Sequence, residues 1–312
     1  MKLKIKIFNT EVPIKSIIKR KSATKLIHER YKKIKDKVIF ADNKKTIFTK
    51  SNYKLSKGCQ YCKKGTWLCL FVGLRCNSNC RFCSRALLNI NKDEPKGYQL
   101  GMSFSKLVNK ILNQKIEGIS YSGGEPLLYL EKKVIPIAMM INKKKPSIYQ
   151  WIYTNGKLIN KKNLIKLKKA GIKEVRIDLA ATNFDKKIIA KIPIIKEIIG
   201  KVTVEIPSIP EVYKKLIKEK LINKLIDYDV EQINLAELYI KRKKAIYYIK
   251  NKDIYYDRSR LSPIESRNIT IDIIEYAIKN NLKILINDCS NDAKDLQIKK
   301  RRYAKGLCRI YS

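Results

Sequence analysis

The sequence predicts an α/β fold, with a parallel sheet that is covered by helices on its outer side. Three observations support this class: short apolar runs recur along the chain, helical patterns lie between them, and glycines separate the two. Alternating strands and helices are typical of a parallel sheet with external helices. The 312 residues suffice for one α/β barrel with appendages, and a hydrophobic fraction of 45% argues against global disorder.

The first predicted strand of the barrel is the apolar run at residues 67–73, which ends in glycine. Apolar residues at helical spacing alternate with further strand-like runs down the chain. Functional side chains of such a barrel are expected at the carboxyl ends of its strands. The other predicted strands cover residues 118–122, 147–154, 173–179, 201–206, 230–235 and 282–287, and the predicted helices cover residues 103–115, 131–142, 160–170, 185–199, 211–227 and 270–281.

The charge is strongly basic and unevenly distributed. The formal net charge is +41, of which residues 1–57 carry +14, residues 58–289 carry +22 and residues 290–312 carry +5. A basic segment on a less basic body suggests a polyanionic partner, most simply RNA. Biased composition, as in an AT-rich genome, remains the alternative. Within the first segment, a helix near residues 14–34 and a hairpin of residues 37–40 and 46–49 are predicted.

Membrane and secretory classes are not supported by the sequence. No apolar run approaches the roughly 20 residues that a membrane-spanning helix needs. The first residues carry lysines where a signal peptide would be apolar, so a secretory signal is not predicted. We therefore expect a cytoplasmic protein that makes no membrane contact.

Six of the eight cysteines fall within 25 residues, which in a chain without a secretory signal favours metal or iron–sulfur ligation over disulfides. Cys76, Cys80 and Cys83 follow the first barrel strand with the spacing C-x3-C-x2-C. A [4Fe–4S] cluster normally takes four thiolates, so three would leave one iron open for chemistry. A zinc site with a distant fourth ligand is the alternative. The next predicted strand is followed at once by Gly-Gly-Glu-Pro, whose glycines can expose backbone groups to a ligand.

Together these two motifs resemble the radical SAM superfamily over residues 67–287. The resemblance implies a partial (β/α)6 barrel, with residues 1–57 as a basic appendage, 58–75 as a lead-in with the first strand, 76–287 as the barrel and 288–312 as a short basic extension. It also implies that the three thiolates hold a [4Fe–4S] cluster whose open iron binds S-adenosylmethionine (SAM). The resemblance assigns Phe82 to the neighbourhood of the adenine, and Gly123, Gly124, Glu125 and Pro126 to the methionine amino group of SAM. The rule that barrel sites lie at the carboxyl ends of strands adds Thr154 and Asn155, whose Thr-Asn-Gly element is common in activating-enzyme-like members, and Asp178, which could bind the SAM ribose or be exposed or salt-bridged.

The activity implied by the resemblance is reductive cleavage of SAM to a 5′-deoxyadenosyl radical that abstracts hydrogen from a substrate. A one-electron reductant of flavodoxin or ferredoxin type and sensitivity to oxygen are implied as well. We expect a macromolecular substrate, with RNA slightly favoured because of the basic segment. A peptide or protein substrate, including a glycyl-radical enzyme, is the alternative, because some motifs resemble an uncharacterised archaeal branch related to pyruvate formate-lyase activating enzyme. A non-catalytic Fe–S or zinc RNA-binding module is the alternative from another class.

The remaining cysteines suggest a second site. Cys59 and Cys62 have the C-x2-C spacing of metal ligands, and with Cys69 and Cys308 they could hold zinc or an auxiliary Fe–S cluster near the base of the barrel. Cys69 could equally be a buried core thiol. For the catalytic step the sequence offers Cys289 and Glu205. Cys289 is expected near the top of the barrel, where it could act on the substrate, ligate an auxiliary cluster or be a free thiol, and Glu205 lies near the end of a strand. Asn234, at the end of the next predicted strand, could contact the substrate.

Overall fold

The computed structural model describes residues 3–84, 103–257 and 260–303. The strands in these residues are β1 (Leu3–Ile7), β2 (Thr10–Ile14), β3 (Ser16–Ile18), β4 (Val38–Ala41), β5 (Thr46–Thr49), β6 (Trp67–Phe71), β7 (Gly118–Ser122), β8 (Tyr149–Thr154), β9 (Ile172–Ile177), β10 (Val202–Pro207), β11 (Gln232–Ala236), β12 (Asp253–Asp257), β13 (Arg260–Pro263) and β14 (Leu285–Cys289). The α-helices are α1 (Arg20–Lys33), α2 (Lys57–Lys64), α3 (Phe104–Leu112), α4 (Ile135–Lys144), α5 (Lys161–Lys169), α6 (Lys186–Ile189), α7 (Ile192–Ile199), α8 (Pro210–Tyr213), α9 (Leu221–Asp227), α10 (Ile264–Lys279) and α11 (Asn291–Tyr303). Short 3-10 or π turns lie at Lys35–Lys37, Pro126–Tyr129, Leu130–Val134, Ala180–Thr182, Lys214–Lys218 and Lys243–Tyr248.

One sheet of nine strands organises the molecule, in the order β4-β5-β14-β11-β10-β9-β8-β7-β6. The strands from β6 through β11 to β14 pair in parallel, and the β4–β5 hairpin adds to β14 in antiparallel fashion. Side chains from β6, β9 and β14 line one cavity, so the sheet curves toward a partial barrel. The predicted α/β class and partial barrel are confirmed.

The strands are apolar on their outer face and polar on their inner face. In β9, Val175 and Ile177 belong to the hydrophobic core, whereas Glu174 and Arg176 alternate with them on the opposite face. We call this inner face the luminal face. In β6 the same alternation buries the leucines and turns Trp67, Cys69 and Phe71 toward the cavities. Luminal polar side chains are what a barrel with an internal site requires, because apolar packing on both faces would fill it.

Several elements depart from the predicted ones. The predicted helix at residues 185–199 is two helices, because Pro193 lacks a backbone N–H and fits only in the first turn of α7. The predicted helix at residues 211–227 is interrupted by a π turn and by Lys220, which adopts φ +54°. The predicted helix at residues 14–34 starts only at Arg20. The preceding residues are extended, with β1 and β2 in a hairpin and β3 in a small sheet with β12 and β13.

The basic N-terminal segment is packed against the barrel. Phe48 of β5 pairs with Asn287 of β14, so the predicted hairpin extends the barrel sheet. The hydroxyl of Tyr31 donates to the buried carboxylate of Asp288 at 2.5 Å, and Arg267 of α10 binds the same carboxylate. The domain division at residues 57, 75 and 287 stays a prediction. Among the described residues, no helix combines the length and apolar character needed to cross a bilayer.

Candidate functional site

The glycine turn after β7 is pressed against the chain that leads into the cysteine loop. Gly124 donates its N–H to Gly73 O at 2.8 Å, and a Cβ on Gly124 would come 2.0 Å from Arg75 O. Gly123 adopts φ +140°, and a Cβ there would lie 2.4 Å from Gly73 O. Only glycines permit this approach, because real Cβ atoms do not come within 3 Å of backbone atoms. The paired glycines therefore fix where the cysteine loop begins.

Glu125 joins this turn to the loop after β8. Its Oε1 accepts from the Thr154 hydroxyl at 2.8 Å and from the Leu127 N–H at 3.1 Å, and its Oε2 accepts from the Asn155 N–H at 2.8 Å. The side chain is only 1% exposed, and burial raises the pKa of Glu125 although these hydrogen bonds oppose the shift. The carboxylate holds the Gly-Gly-Glu-Pro and Thr-Asn-Gly elements in one rigid unit.

Asn155 extends the unit to the cysteine loop itself. Its Nδ2 donates to Asn77 Oδ1 at 2.7 Å and to Ser78 Oγ at 3.2 Å, and lies 4.0 Å from Cys76 Sγ. Lys157 Nζ donates to Asn77 O at 2.7 Å. Each of these contacts joins residues about 80 positions apart, so the loops after β6 and β8 are held together at one end of the sheet.

The three cysteines of the loop are half-buried beside these elements. Burial raises the pKa of Cys76, and it raises that of Cys80 to about 12, with Asp178 adding to the shift of Cys80. Metal binding requires thiolates, and a bound metal supplies the positive charge that stabilises them. Burial, and not a neighbouring protein cation, is the main influence on the pKa of Cys76 and Cys80. Half-buried thiols of this kind fit a metal cluster, which would supply the positive charge itself.

Asp178 follows β9 and faces the same space. Its Oδ1 accepts the Ala181 N–H at 3.2 Å, and the Ala181 carbonyl lies 3.8 Å from Cys80 Sγ. Burial raises the pKa of Asp178 to about 7, and the backbone hydrogen bonds counteract part of the shift. Asp178 is half-buried, and no ion pair to it is found among the described residues; its role at the ribose stays a prediction.

These elements enclose a cavity of about 420 Å³, which we call the SAM cavity. Pro126, by contrast, is not among the residues that line it, because Pro126 begins a buried 3-10 turn. The predicted residues that line the SAM cavity are Cys76, Cys80, Phe82, Cys83, Gly123, Gly124, Glu125, Thr154, Asn155, Asp178 and Glu205.

A second cavity of about 470 Å³, the luminal cavity, lies beside the first. Cys59 and Cys62 of α2, Cys69 of β6 and Cys289 of β14 all line it, and Cys69 lines both cavities. The position of Cys69 in its strand had suggested a place far from the cysteine loop. Its side chain instead points into the lumen, where it also lines the SAM cavity. Cys308, the other predicted ligand of the second site, lies outside the described residues.

Arg176 is a luminal residue that belongs to none of the sequence motifs. Its Nε donates to Glu174 Oε1 at 2.8 Å, its Nη1 to Glu205 Oε2 at 3.1 Å and its Nη2 lies 3.4 Å from Cys59 Sγ. Gly58 permits this arrangement, because a Cβ there would come 2.5 Å from Arg176 Nη2. The signal in the sequence is the alternation of charged and apolar residues in a strand that a parallel sheet should bury on both faces.

Comparisons with known proteins agree with this geometry. Residues 70–219 match the Radical SAM superfamily. Over 193 residues the chain is 28% identical to a protein of Methanocaldococcus jannaschii that is described as a candidate glycyl-radical enzyme activating enzyme; the match covers 59% of this chain and 50% of that protein. The chain thus spans about half the length of this curated relative.

Solved structures share the fold. Streptococcus suis SuiB bound to S-adenosylmethionine superposes with a TM-score of 0.51 at 19% identity, covering 72% of this chain and 50% of that one. Methylornithine synthase (PylB) superposes with a TM-score of 0.50 at 11% identity, covering 75% of this chain and 69% of that one.

Residues 70–219 carry a Radical SAM domain. Over 193 residues the chain is also similar to the M. jannaschii protein. A [4Fe–4S] cluster and SAM are the cofactors of such a domain, and the half-buried thiols beside the SAM cavity fit them. In this site Cys76, Cys80 and Cys83 would hold the cluster.

Proposed function

We propose that the protein cleaves SAM reductively and uses the 5′-deoxyadenosyl radical to abstract hydrogen from a macromolecular substrate. The observation that carries this proposal is the single cavity shared by the cysteine triplet, the Gly-Gly-Glu-Pro turn and the Thr-Asn-Gly loop. When bound, the cluster and SAM supply one-electron cleavage of a C–S bond, with the electron coming from a flavodoxin- or ferredoxin-type donor.

The protein's own contribution is positioning. Glu125 and Asn155 lock three loops together, so the exposed backbone around Gly123 and Gly124 is held ready for the amino group of SAM. Asp178 offers a carboxylate that accepts hydrogen bonds, as a ribose hydroxyl requires.

The first test is product formation from SAM. Anaerobic protein reconstituted with iron and sulfide should form 5′-deoxyadenosine when dithionite is added. Cys80→Ala should reduce the product to the level of protein that was not reconstituted, while circular dichroism shows an unchanged fold. Equal turnover by Cys80→Ala, or no turnover by wild-type protein with a full cluster, would contradict the proposal.

For the substrate, a protein is better supported than RNA. The M. jannaschii relative is described by its action on a glycyl-radical enzyme, and the match to it extends beyond the motifs to 193 residues. The support for RNA is the net charge of +14 on residues 1–57. Part of this charge is already paired with carboxylates of the same chain. Arg30 binds Asp272 and Glu275 at 2.7 and 2.6 Å, and Lys15 binds Asp253 at 3.2 Å.

An extract of the source cells can separate the two substrates. A true substrate should raise the rate of 5′-deoxyadenosine formation above the uncoupled rate. Stimulation that survives nuclease and disappears after protease treatment is expected. Stimulation that survives protease and disappears after nuclease treatment would refute the protein substrate and favour RNA, and it should then weaken steeply with salt.

A further inference from the structure

Four thiols from three separate elements face the luminal cavity. Cys59 and Cys62 are three residues apart on α2, which places both on one side of that helix. Cys69 is turned inward by the alternation of β6, and Cys289 ends β14. The sheet order places β6 and β14 on opposite sides of the barrel strands, so α2 bridges the space between them.

All four thiols line one cavity of about 470 Å³, together with Arg176 of β9, Glu205 of β10 and Asn234 of β11. The sulfurs therefore face a single space that is walled by the barrel strands and by α2.

The surroundings of these thiols suit a negatively charged group that contains sulfur. Cys59 Sγ lies 3.1 Å from Gln232 Nε2, 3.4 Å from Asn234 Nδ2 and 3.4 Å from Arg176 Nη2, which are all N–H donors. The cationic side chains that line the cavity are Lys63, Arg176, Lys294 and Arg301. Its carboxylates are Glu205, which pairs with Arg176, and Asp288.

We propose that Cys59, Cys62, Cys69 and Cys289 bind a second [4Fe–4S] cluster in the luminal cavity. Four thiolates are the full ligand set of such a cluster, and each binds a different iron. A single ion is a poorer fit: among the described residues, no three His, Cys, Asp or Glu side chains converge closely enough to hold one. The same is true of Cys76, Cys80 and Cys83, because the ligands of a four-iron cluster bind different irons and are spread around it. The cationic lining offsets the negative charge of a four-thiolate cluster.

The proposal differs from the sequence prediction in ligand and in place. The sequence prediction placed Cys308 in the second site, whereas in the structure Cys289 lines the luminal cavity with the other three cysteines. Because Cys69 and Arg176 line both cavities, the second cluster would adjoin the SAM cavity rather than sit at a distant base.

The test counts iron and acid-labile sulfide in anaerobically reconstituted full-length variants. Wild-type protein should hold about eight irons, and a variant with Ala at Cys76, Cys80 and Cys83 should keep about four, since each cluster contains four. Adding Cys62→Ala and Cys289→Ala to that variant should remove the rest. The cluster that remains in the triple variant should give Mössbauer parameters of a [4Fe–4S] centre and an EPR signal that does not change when SAM is added.

Cys308→Ala is the matched control, and it should retain about eight irons, as two four-iron clusters require. Cys62→Ser is prepared beside Cys62→Ala as a conservative replacement of similar size. Circular dichroism is used to check that each variant is folded. A folded triple variant that binds no iron, or that binds one zinc instead, would overturn the proposal. So would loss of the second cluster in Cys308→Ala but not in Cys289→Ala. Wild-type protein with only four irons that still forms 5′-deoxyadenosine would refute the second cluster and leave the proposed function standing.

Discussion

Replacing Arg267 by methionine is expected to lower the free energy of unfolding by about 3–5 kcal/mol. Arg267 on α10 donates from Nη1 to Asp288 Oδ1 at 2.5 Å and from Nη2 to Oδ2 at 2.7 Å. Arg267 is 2% exposed and Asp288 is 0% exposed. Methionine fills a similar space without charge, so Asp288 would keep a buried carboxylate with only the hydroxyl of Tyr31 as its side-chain donor.

Two further variants show whether the cost comes from the unpaired charge. Asn at position 288 in the Arg267→Met background removes that charge and should recover about 2 kcal/mol, roughly half of the loss. Recovery should be incomplete, because Glu237 lies 3.9 Å from Arg267 Nε and also loses a counter-charge. Arg30→Met is the matched control: it also removes ion pairs of α10, here with α1 and at the surface, and should cost less than about 1 kcal/mol.

Urea unfolding at neutral pH, followed by circular dichroism, measures these differences by linear extrapolation. A loss below about 1 kcal/mol for Arg267→Met, the usual size for a surface ion pair, would refute the reasoning. Equal losses for Arg267→Met and Arg30→Met would refute it too. A double variant no more stable than Arg267→Met would show that packing, and not the isolated carboxylate, determines the cost.

Three other outcomes are expected. Gly124→Ala should lower iron content and 5′-deoxyadenosine formation together, because the added Cβ would lie 2.0 Å from Arg75 O and displace the cysteine loop; normal iron content would contradict this. Burial opposes but does not prevent the lowered pKa of Glu231, which hydrogen bonds from lysines such as Lys196 cause. Wild-type protein should therefore melt higher than Glu231→Gln at pH 7. The difference should begin to shrink below about 4.5, the ordinary pKa of Glu, and should be lost only as pH falls through the lower pKa of the folded state. Deleting residues 1–50 should abolish cooperative unfolding, because it removes β5 from β14 and Tyr31 from Asp288; an unchanged melting transition would show that the segment is separable.

The parts of the fold with local signals were predictable from the sequence. Each barrel strand is a short apolar run, and the structure shifts its ends by a few residues at most: residues 118–122 match β7, and residues 201–206 match β10 to within one residue. The cysteine triplet and Gly-Gly-Glu-Pro depend on close spacing in the chain, so they too could be recognised. The pairing of β3 with β12 has no local signal, since it joins residues more than 230 positions apart.

The same distinction separates the two cavities. The SAM cavity is built from short motifs at the ends of neighbouring strands, and its residues could be named in advance. The luminal cavity is built from residues of α2, α11 and strands from β6 to β14, which only the curvature of the sheet brings together. Strand alternation could have indicated the inward direction of Cys69 and Arg176, but not which helix would cover them. Gly58 decides that, because its missing side chain lets α2 approach Arg176.

The basic charge of the chain also has a structural use that its total conceals. Arg20 binds Asp292 of α11, and Lys63 binds the buried carboxylate of Asp42 at 2.6 Å, so cations of α1 and α2 help to seat the helices around the lumen. Lys63 also lines the luminal cavity together with Lys294. Some of the basic residues therefore serve the barrel interior and its interfaces. For an RNA partner, only the exposed remainder is available, which weakens the argument from net charge and leaves the cavity chemistry as the better guide to function.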